Sequence, residues 1–169
     1  MIYYDKIYND HHIGTYTTSP EGAELLGLTE TAEDDGVELA HNGMLYLKGH
    51  APAKPLQTAK DEKHAELKQI MRNKRQNVKV NYDNDTFDAN EEAQANMIIL
   101  LKAFDLGAQT VSIRSSTEET HVFDKEHCQE LSLIMLSAVQ AIYDQYWDLK
   151  DLLANCETVE EVESISWND

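Results

Sequence analysis

The clearest hydrophobic pattern lies in the C-terminal half of the chain, where strand spacing and helix spacing alternate. Apolar and polar side chains alternate in 78–82, 110–114 and 120–123, as the two faces of a β-strand require. Apolar residues recur every three or four positions in 90–106 and 124–153, which is the period of an amphipathic helix. The predicted order is therefore strand, helix, two strands and a long helix, with a short helix at the end.

Capping residues mark where these helices begin. Asp88 or Asn90 can cap the first helix, Asp124 the long one and Thr158 the short one, because their side chains accept hydrogen bonds from free backbone N–H groups. The pattern predicts an α+β domain over 78–169, in which a small antiparallel sheet packs against two main helices.

In the first part of the chain, turn-forming residues separate short apolar stretches, a pattern typical of short strands. Residues 1–8 mix aromatic and β-branched side chains, Gly14 signals a turn, and 16–18 can pair back as a second strand. Residues 20–27 are bounded by proline and glycine and predict a short helix. Asn42-Gly43 predicts a hairpin with a two-residue turn. A unit this small buries little surface alone, so we expect it to lean on another chain or on the rest of the protein.

Two prolines separate this β-rich part from a helical segment. Pro52 and Pro55 each remove a backbone donor and favour extended geometry before them, which places a boundary within 50–56. Residues 57–75 are good helix formers with a thin apolar stripe, typical of a stalk, linker or self-associating helix. The predicted parts are a β-rich docking unit (1–53), a basic connector with a helix (54–77) and the α+β domain (78–169).

The charge balance limits the classes of partner. Fourteen basic against 31 acidic residues give a formal net charge of −17, which repels nucleic-acid phosphate and anionic membranes. No apolar run approaches the roughly 18 residues of a membrane helix, and the first residues lack a secretory-signal layout. Residues 54–79, by contrast, carry a net charge of +5. We expect a protein made in a cytoplasm, with neither nucleic acid nor membrane as a partner.

Two polar groupings resemble metal sites but fit one poorly. His11 and His12 are neighbours in sequence and point in different directions, so exposed turn histidines are favoured. Asp83, Asp85 and Asp88 begin like a calcium loop, yet the fifth, sixth and twelfth positions lack the required residues. An acidic hairpin turn followed by a helix cap is the better interpretation, and we expect no metal.

The two cysteines do not predict a catalytic or redox site. His127 beside Cys128 lies at the start of a helix, where a thiolate is favoured, but adjacent residues on a helix do not face one another. Cys128 and Cys156 are too far apart for a CxxC motif, and buried free thiols are favoured. Phosphate-loop, HExxH and GxSxG motifs are absent from the sequence, so we expect no enzyme and no cofactor.

Tyrosines near the start of the chain are the most distinctive candidates for partner binding. Tyr3, Tyr4, Tyr8 and Tyr16 all belong to the small β-rich unit. A unit of this size cannot bury four tyrosines and satisfy each hydroxyl, so we predict that they dock on a partner. The alternative is that three of them form its miniature core.

Several short motifs carry a family resemblance. They are Arg75 with Val78-Lys-Val-Asn-Tyr-Asp, then Thr86-Phe-Asp-Ala, His121-Val-Phe-Asp, Leu152-Leu-Ala, Thr158-Val-Glu-Glu-Val and Ile165-Ser-Trp. With them the C-terminal half resembles a domain family of unknown function encoded largely by tailed bacteriophages and prophages, often next to or within tail-fibre genes. The opening Met1-Ile-Tyr-Tyr-Asp-Lys and the layout behind it are similar to tail-fibre assembly proteins.

The resemblance implies a non-enzymatic phage tail protein at the fibre or baseplate, acting in assembly or as a structural or attachment component. Its implied location is the virion tail, after synthesis in the host bacterial cytoplasm, and its implied partner is a tail or tail-fibre protein. Self-association through the helix of 57–75 is a further expectation, based on a narrow apolar edge at Leu67, Ile70 and Met71. The alternative is an acidic phage protein that mimics DNA and inhibits a host nucleic-acid-binding factor.

Overall fold

The structure is a computed structural model that describes the backbone of 2–7, 12–16, 29–31 and 37–167, with side chains from 38 onward. Two compact units divide the chain between Pro55 and Leu56. In chain order the elements are β1 (Ile2–Ile7), β2 (His12–Tyr16), β3 (Thr29–Thr31), β4 (Val37–Leu39), β5 (Leu45–Leu47), α1 (Leu56–Asn77), β6 (Lys79–Tyr82), β7 (Asp85–Asp88), α2 (Glu91–Asp105), β8 (Val111–Arg114), β9 (Thr120–Phe123), α3 (Lys125–Asn155) and α4 (Val159–Ser164). This mixture confirms the α+β class.

The described strands of the first unit form one antiparallel sheet in the order β3-β1-β2-β5-β4. Tyr3 stands opposite Tyr16, as the predicted return strand requires. The strand begins earlier than predicted, however, since His12 pairs with Tyr46 and Gly14 lies within β2 rather than in a turn. His12 is therefore a strand residue rather than a turn residue. Glycine adopts extended backbone as well as turn conformations, so Gly14 does not interrupt the strand. His11 and the helix predicted over 20–27 lie outside the described residues.

The β4–β5 hairpin is present, but its turn differs from the predicted two-residue form. Ala40 donates to the carbonyl of Met44 at 2.8 Å, which leaves a three-residue loop between them. Gly43 has φ +77°, whereas the φ of Asn42 is not positive. The side chain of Asn42 instead accepts from Met44 N and donates to the Tyr46 hydroxyl, and this is the three-residue loop with glycine in the left-handed region.

Helix α1 belongs to the second unit, whereas the sequence predicts a connector between two parts. The Lys60 ammonium donates to the carbonyl of Ala154 at 2.8 Å, and the Arg75 guanidinium lies 4.9 Å from the ring centre of Tyr143. Ala154 and Tyr143 both belong to α3, so α1 and α3 run antiparallel. Leu67 is fully buried and Met71 nearly so, because α3 and α4 cover the apolar stripe that the sequence leaves open.

Two separate hairpins replace the single small sheet predicted for 78–169. Strand β6 pairs with β7 through a turn at Asp83 and Asn84, whose φ angles of 49° and 62° are those of a two-residue hairpin turn. Strand β8 pairs with β9, with Val111 opposite Phe123. A hydrogen bond of 2.8 Å from Ser116 N to Thr86 O joins the two hairpins.

The structure confirms the predicted helix caps and decides between the two candidates for the cap of α2. Asn90, not Asp88, caps α2, because Asp88 still belongs to β7. Asp124 caps α3, and Thr158 caps α4 in a capping box with Glu161. Of the helices that the structure describes, none has the length and apolarity needed to cross a membrane.

Helix α3 supplies side chains to two hydrophobic clusters. The hairpin cluster contains Val80, Phe87, Ala89, Met97, Phe123, Cys128, Leu131 and Met135, and the helix cluster contains Ala59, Leu67, Leu149, Leu153 and Val162. The hairpins and α2 close the first cluster, while α1 and α4 close the second. One helix thus connects two cores within the unit.

Candidate functional site

A polar cluster joins β7 to the loop between β8 and β9. The carboxylate of Asp85 accepts hydrogen bonds from the Thr86 backbone at 2.7 Å and from the Thr117 hydroxyl at 2.8 Å. Its other oxygen lies 2.8 Å from Nε2 of His121. Ser115, only 6% exposed, shares a hydrogen bond of 2.9 Å with the Thr117 hydroxyl. We call Asp85, Ser115, Thr117 and His121 the Asp85 cluster.

The cluster holds Asp85 in its ionised form. Hydrogen bonding by Ser115, and next by His121, keeps the pKa of the Asp85 carboxyl well below its usual range. The imidazole of His121 also lies against the buried ring of Phe87, with 5.1 Å between ring centres. The cluster therefore fastens the β8–β9 loop to β7 at the edge of the hairpin cluster.

One subset of these groups has donor atoms suited to a cation. Single atoms of Asp85, Glu119 and His121 all lie within 4.8 Å of one another, and two carboxylates with an imidazole can ligate a divalent metal. Asp85 already accepts from backbone, hydroxyl and imidazole, so a cation would have to open the bond between Asp85 and His121. The geometry fits a hydrogen-bonded fastening better than a ready metal site.

The other aspartates of the predicted turn serve different partners. Asp83 lies in the two-residue turn, while Asp88 accepts from the Ser116 hydroxyl at 2.9 Å and lies 3.5 Å from the Lys79 ammonium. Asp85 alone of the three belongs to the Asp85 cluster. The interpretation as a hairpin turn rather than a calcium loop is thus the one that the geometry favours.

An open groove runs between α2 and β8, next to this fastening. Its volume is about 520 Å³, and its lining includes three consecutive residues of β8, namely Ser112, Ile113 and Arg114. Ile99 and Leu100 of α2 also line it, together with Phe87 and Met135. Asp88, Asn90 and Glu92 complete a polar border. We call this the α2–β8 groove.

The α2–β8 groove has two properties of a peptide-binding site. Within the described residues β8 pairs with β9 alone, so its other edge is open to a further strand. Ile98 and Ile99 are 55% and 64% exposed, which leaves large aliphatic side chains uncovered beside the groove. The sequence gives a signal for this only in the run Ile98-Ile99-Leu100, which a helix cannot bury on one face.

His127 and Cys128 make structural contacts at the start of α3. His127 Nδ1 lies 2.8 Å from the carboxylate of its capping residue Asp124, which raises the pKa of the imidazole. Cys128 is fully buried, and burial raises the pKa of its thiol, the opposite of what a nucleophile needs. Cys156 is half-buried rather than buried, and both thiols are free.

A hydrogen bond between Tyr82 and Glu130 ties β6 to α3. The Tyr82 hydroxyl donates to the Glu130 carboxylate at 2.6 Å. Burial, and then this bond, raise the pKa of Tyr82 to about 12. Tyr82 therefore stays protonated as a donor throughout the neutral range and is a structural contact rather than a proton-transfer group.

The four tyrosines predicted to bind a partner precede residue 38, where the described side chains begin. Tyr3 and Tyr4 lie in β1 and Tyr16 in β2, while Tyr8 lies outside the described residues. Their backbone positions place Tyr3 and Tyr16 opposite each other. Docking through these four residues stays a prediction.

Comparison with known proteins yields one family. Residues 58–166 match the family described as "Domain of unknown function (DUF4376)", which is more than half of the chain and includes α1 as well as the elements of 78–164. Neither the curated proteins nor the solved structures include one with a significant match to the chain.

Proposed function

Because the chain belongs to the DUF4376 family through residues 58–166, we propose that it is a non-enzymatic, protein-binding component of a bacteriophage tail. The proposed location is the fibre or baseplate, as a structural or attachment component or as an assembly factor. The assignment to a phage tail rests on the resemblance described above, whose C-terminal motifs lie within or next to the matched residues.

The single observation that carries a binding role is the α2–β8 groove. A partner segment in extended conformation can add to the open edge of β8 through main-chain hydrogen bonds. Its apolar side chains would enter the space lined by Ile99, Leu100 and Ile113. The Asp85 cluster supports this by fixing the loop next to β8, so the edge is held in place before the partner arrives.

The experiment is capture of tail proteins by the purified full chain. Proteins encoded beside it are co-expressed, complexes are purified, and the affinity of each captured partner is measured for Ile99→Lys. We expect at least about tenfold weaker binding, since the bound segment would cover the ammonium in the apolar part of the groove beside Leu100. Leu106→Lys is the matched control, because Leu106 is 90% exposed and lies outside the groove lining.

The same complexes test the tyrosines and the rival function. Replacing Tyr3, Tyr4 and Tyr8 together with Ser removes binding if the first unit docks, whereas Ile99→Lys removes it if the groove docks. Equal binding by wild type and Ile99→Lys contradicts the groove. Capture of a nucleic-acid-binding protein that 0.5 M salt releases favours the DNA mimic, because charge mimicry is screened by salt.

A further inference from the structure

The outward side of α3 carries a second apolar stripe that its own chain leaves uncovered. Leu133, Leu136 and Trp147 are 63%, 56% and 50% exposed, and Tyr143 is half-buried. Their spacing of three, four and seven keeps all four on one side of the helix, away from the buried series that includes Leu131. We call Leu133, Leu136, Tyr143 and Trp147 the outer stripe.

The outer stripe has the repeat of a helix-pairing seam. Counted from Leu133, apolar residues occupy the first and fourth positions of one heptad, the fourth of the next and the first of the third, which is coiled-coil spacing. Gln140 takes the remaining first position, and a single polar residue there fixes the register of paired helices. Tyr143 and Trp147 stack with 5.7 Å between ring centres, so the aromatic end is already ordered.

The two borders of the outer stripe carry opposite charges. On the side of α1, the Arg75 guanidinium lies 4.9 Å from the ring centre of Tyr143 and 3.8 Å from the exposed Glu91 carboxylate. Lys68, which is exposed, lies two turns earlier on the same side of α1. On the far side, Asp144, Asp148 and Asp151 follow one another along α3 and are all exposed. A partner surface must therefore be acidic on one border and basic on the other.

We propose that the outer stripe pairs with the same stripe of a second copy of this chain, with the two α3 helices parallel. A two-fold axis along α3 sets the basic border of each copy against the acidic border of the other, so both sets of charges are complementary. A two-fold axis across α3 makes the helices antiparallel and sets like charges against like. The charges thus select a second copy and its direction.

This surface replaces the one that the sequence predicts for self-association. Leu67 and Met71, expected on an exposed edge of 57–75, are both buried, and Leu67 packs against α3 and α4 of the same chain. The outer stripe lies on a different side of α3 from the buried residues Leu149 and Leu153 of that core. Pairing through it is independent of the α2–β8 groove, so the proposal stands or falls apart from the proposed function.

The first test is the oligomeric state of the full chain by sedimentation over a wide range of concentrations. Wild type is expected to dimerise, and the double variant Leu136→Glu with Trp147→Glu to weaken the dimer by about a hundredfold or more. Leu152→Glu is the matched control, because Leu152 is 59% exposed on the same helix but outside the outer stripe. The milder Leu136→Gln keeps the test valid if the double variant unfolds.

Charge exchange and a distance measurement test the direction. Arg75→Glu should weaken the dimer and Arg75→Glu with Asp144→Lys should restore it. Spin labels on Gln129→Cys, in a Cys156→Ser background, should lie within about 20 Å in the parallel dimer and more than about 30 Å apart in an antiparallel one centred on Gln140. A monomer at every concentration, a dimer unaffected by the double variant, or the longer distance overturns the proposal.

Discussion

The two hydrophobic clusters along α3 are built by different means. The hairpin cluster is closed by β6–β9 and α2, which are neighbours of α3 in sequence, and the Asp85 cluster holds their loops together. The helix cluster is closed by α1 from far upstream and by the six-residue α4, and its polar contact lies between helices, with Nε2 of His64 in α1 2.9 Å from the Tyr146 hydroxyl in α3. The first cluster therefore depends on local turns and the second on long-range packing.

This difference explains why α1 belongs with the second unit. The family match begins at residue 58 and so includes α1, and Leu67 is the fully buried side chain that α1 contributes. Without α1, the side chains of Leu149 and Leu153 would lose the part of their cover that Ala59 and Leu67 supply. A C-terminal domain that begins at 78 is incomplete in this structure.

The largest expected effect comes from truncating one residue of each cluster. Leu67→Ala and Leu131→Ala should each lower the free energy of unfolding by about 2–5 kcal/mol, because both side chains are fully buried. Urea denaturation of the full chain measures both, with the exposed Ile98→Ala as control. If Leu67→Ala costs less than about 0.5 kcal/mol, α1 is a connector and the two clusters are not equivalent.

A smaller effect is expected from the fastening of the hairpin cluster, and it depends on pH. Since the folded-state pKa of Asp85 lies below the unfolded value of about 3.9, the ionised carboxylate stabilises the fold above that pH. Wild type should lose this contribution as the pH falls through the folded-state pKa. Asp85→Asn should already lack it at pH 7 and show a flatter acid limb in thermal melts.

The control for the acid limb is Asp105→Asn, because Asp105 makes an exposed ion pair with Lys125 that contributes little. An acid limb in Asp85→Asn as steep as that of wild type would show that other carboxylates cause acid unfolding.

The smallest effect is expected at the capping box of α4. The Thr158 hydroxyl accepts from Glu161 N, and the Glu161 carboxylate accepts from the backbone of Thr158. Thr158→Ala should cost about 1 kcal/mol, whereas Thr158→Ser keeps the hydroxyl and should cost less. Thermal melts of both variants, read against wild type, show whether the helix cluster depends on this local signal.

Local signals explain most of what the sequence predicts correctly. The turn at Asp83 and Asn84, the cap at Asp124 and the capping box at Thr158 are set by residues within four positions of one another, so the order of elements in 78–164 could be predicted. The role of α1 could not, because a thin apolar stripe does not show which distant helix covers it.

The Asp85 cluster shows the same limit for the candidate site. Asp85 stands out in the sequence as one of three turn aspartates, but its partner His121 lies 36 residues later. Only the pairing of β8 with β9 brings the imidazole to it. The outer stripe, in contrast, is a local repeat that the sequence already contains. Only the fold shows that the stripe is exposed, because the sequence does not say which side of α3 the other elements cover.

The shared helix has a consequence for amide hydrogen exchange. Helix α3 has 31 residues, about 46 Å at 1.5 Å per residue, and each half has its own cover. Detachment of α4 and α1 would expose amides near Leu149 and Leu153 while those near Leu131 stay protected by the hairpins. Exchange along this one helix should therefore divide into two blocks of protection, with the earlier-exchanging block at its C-terminal end.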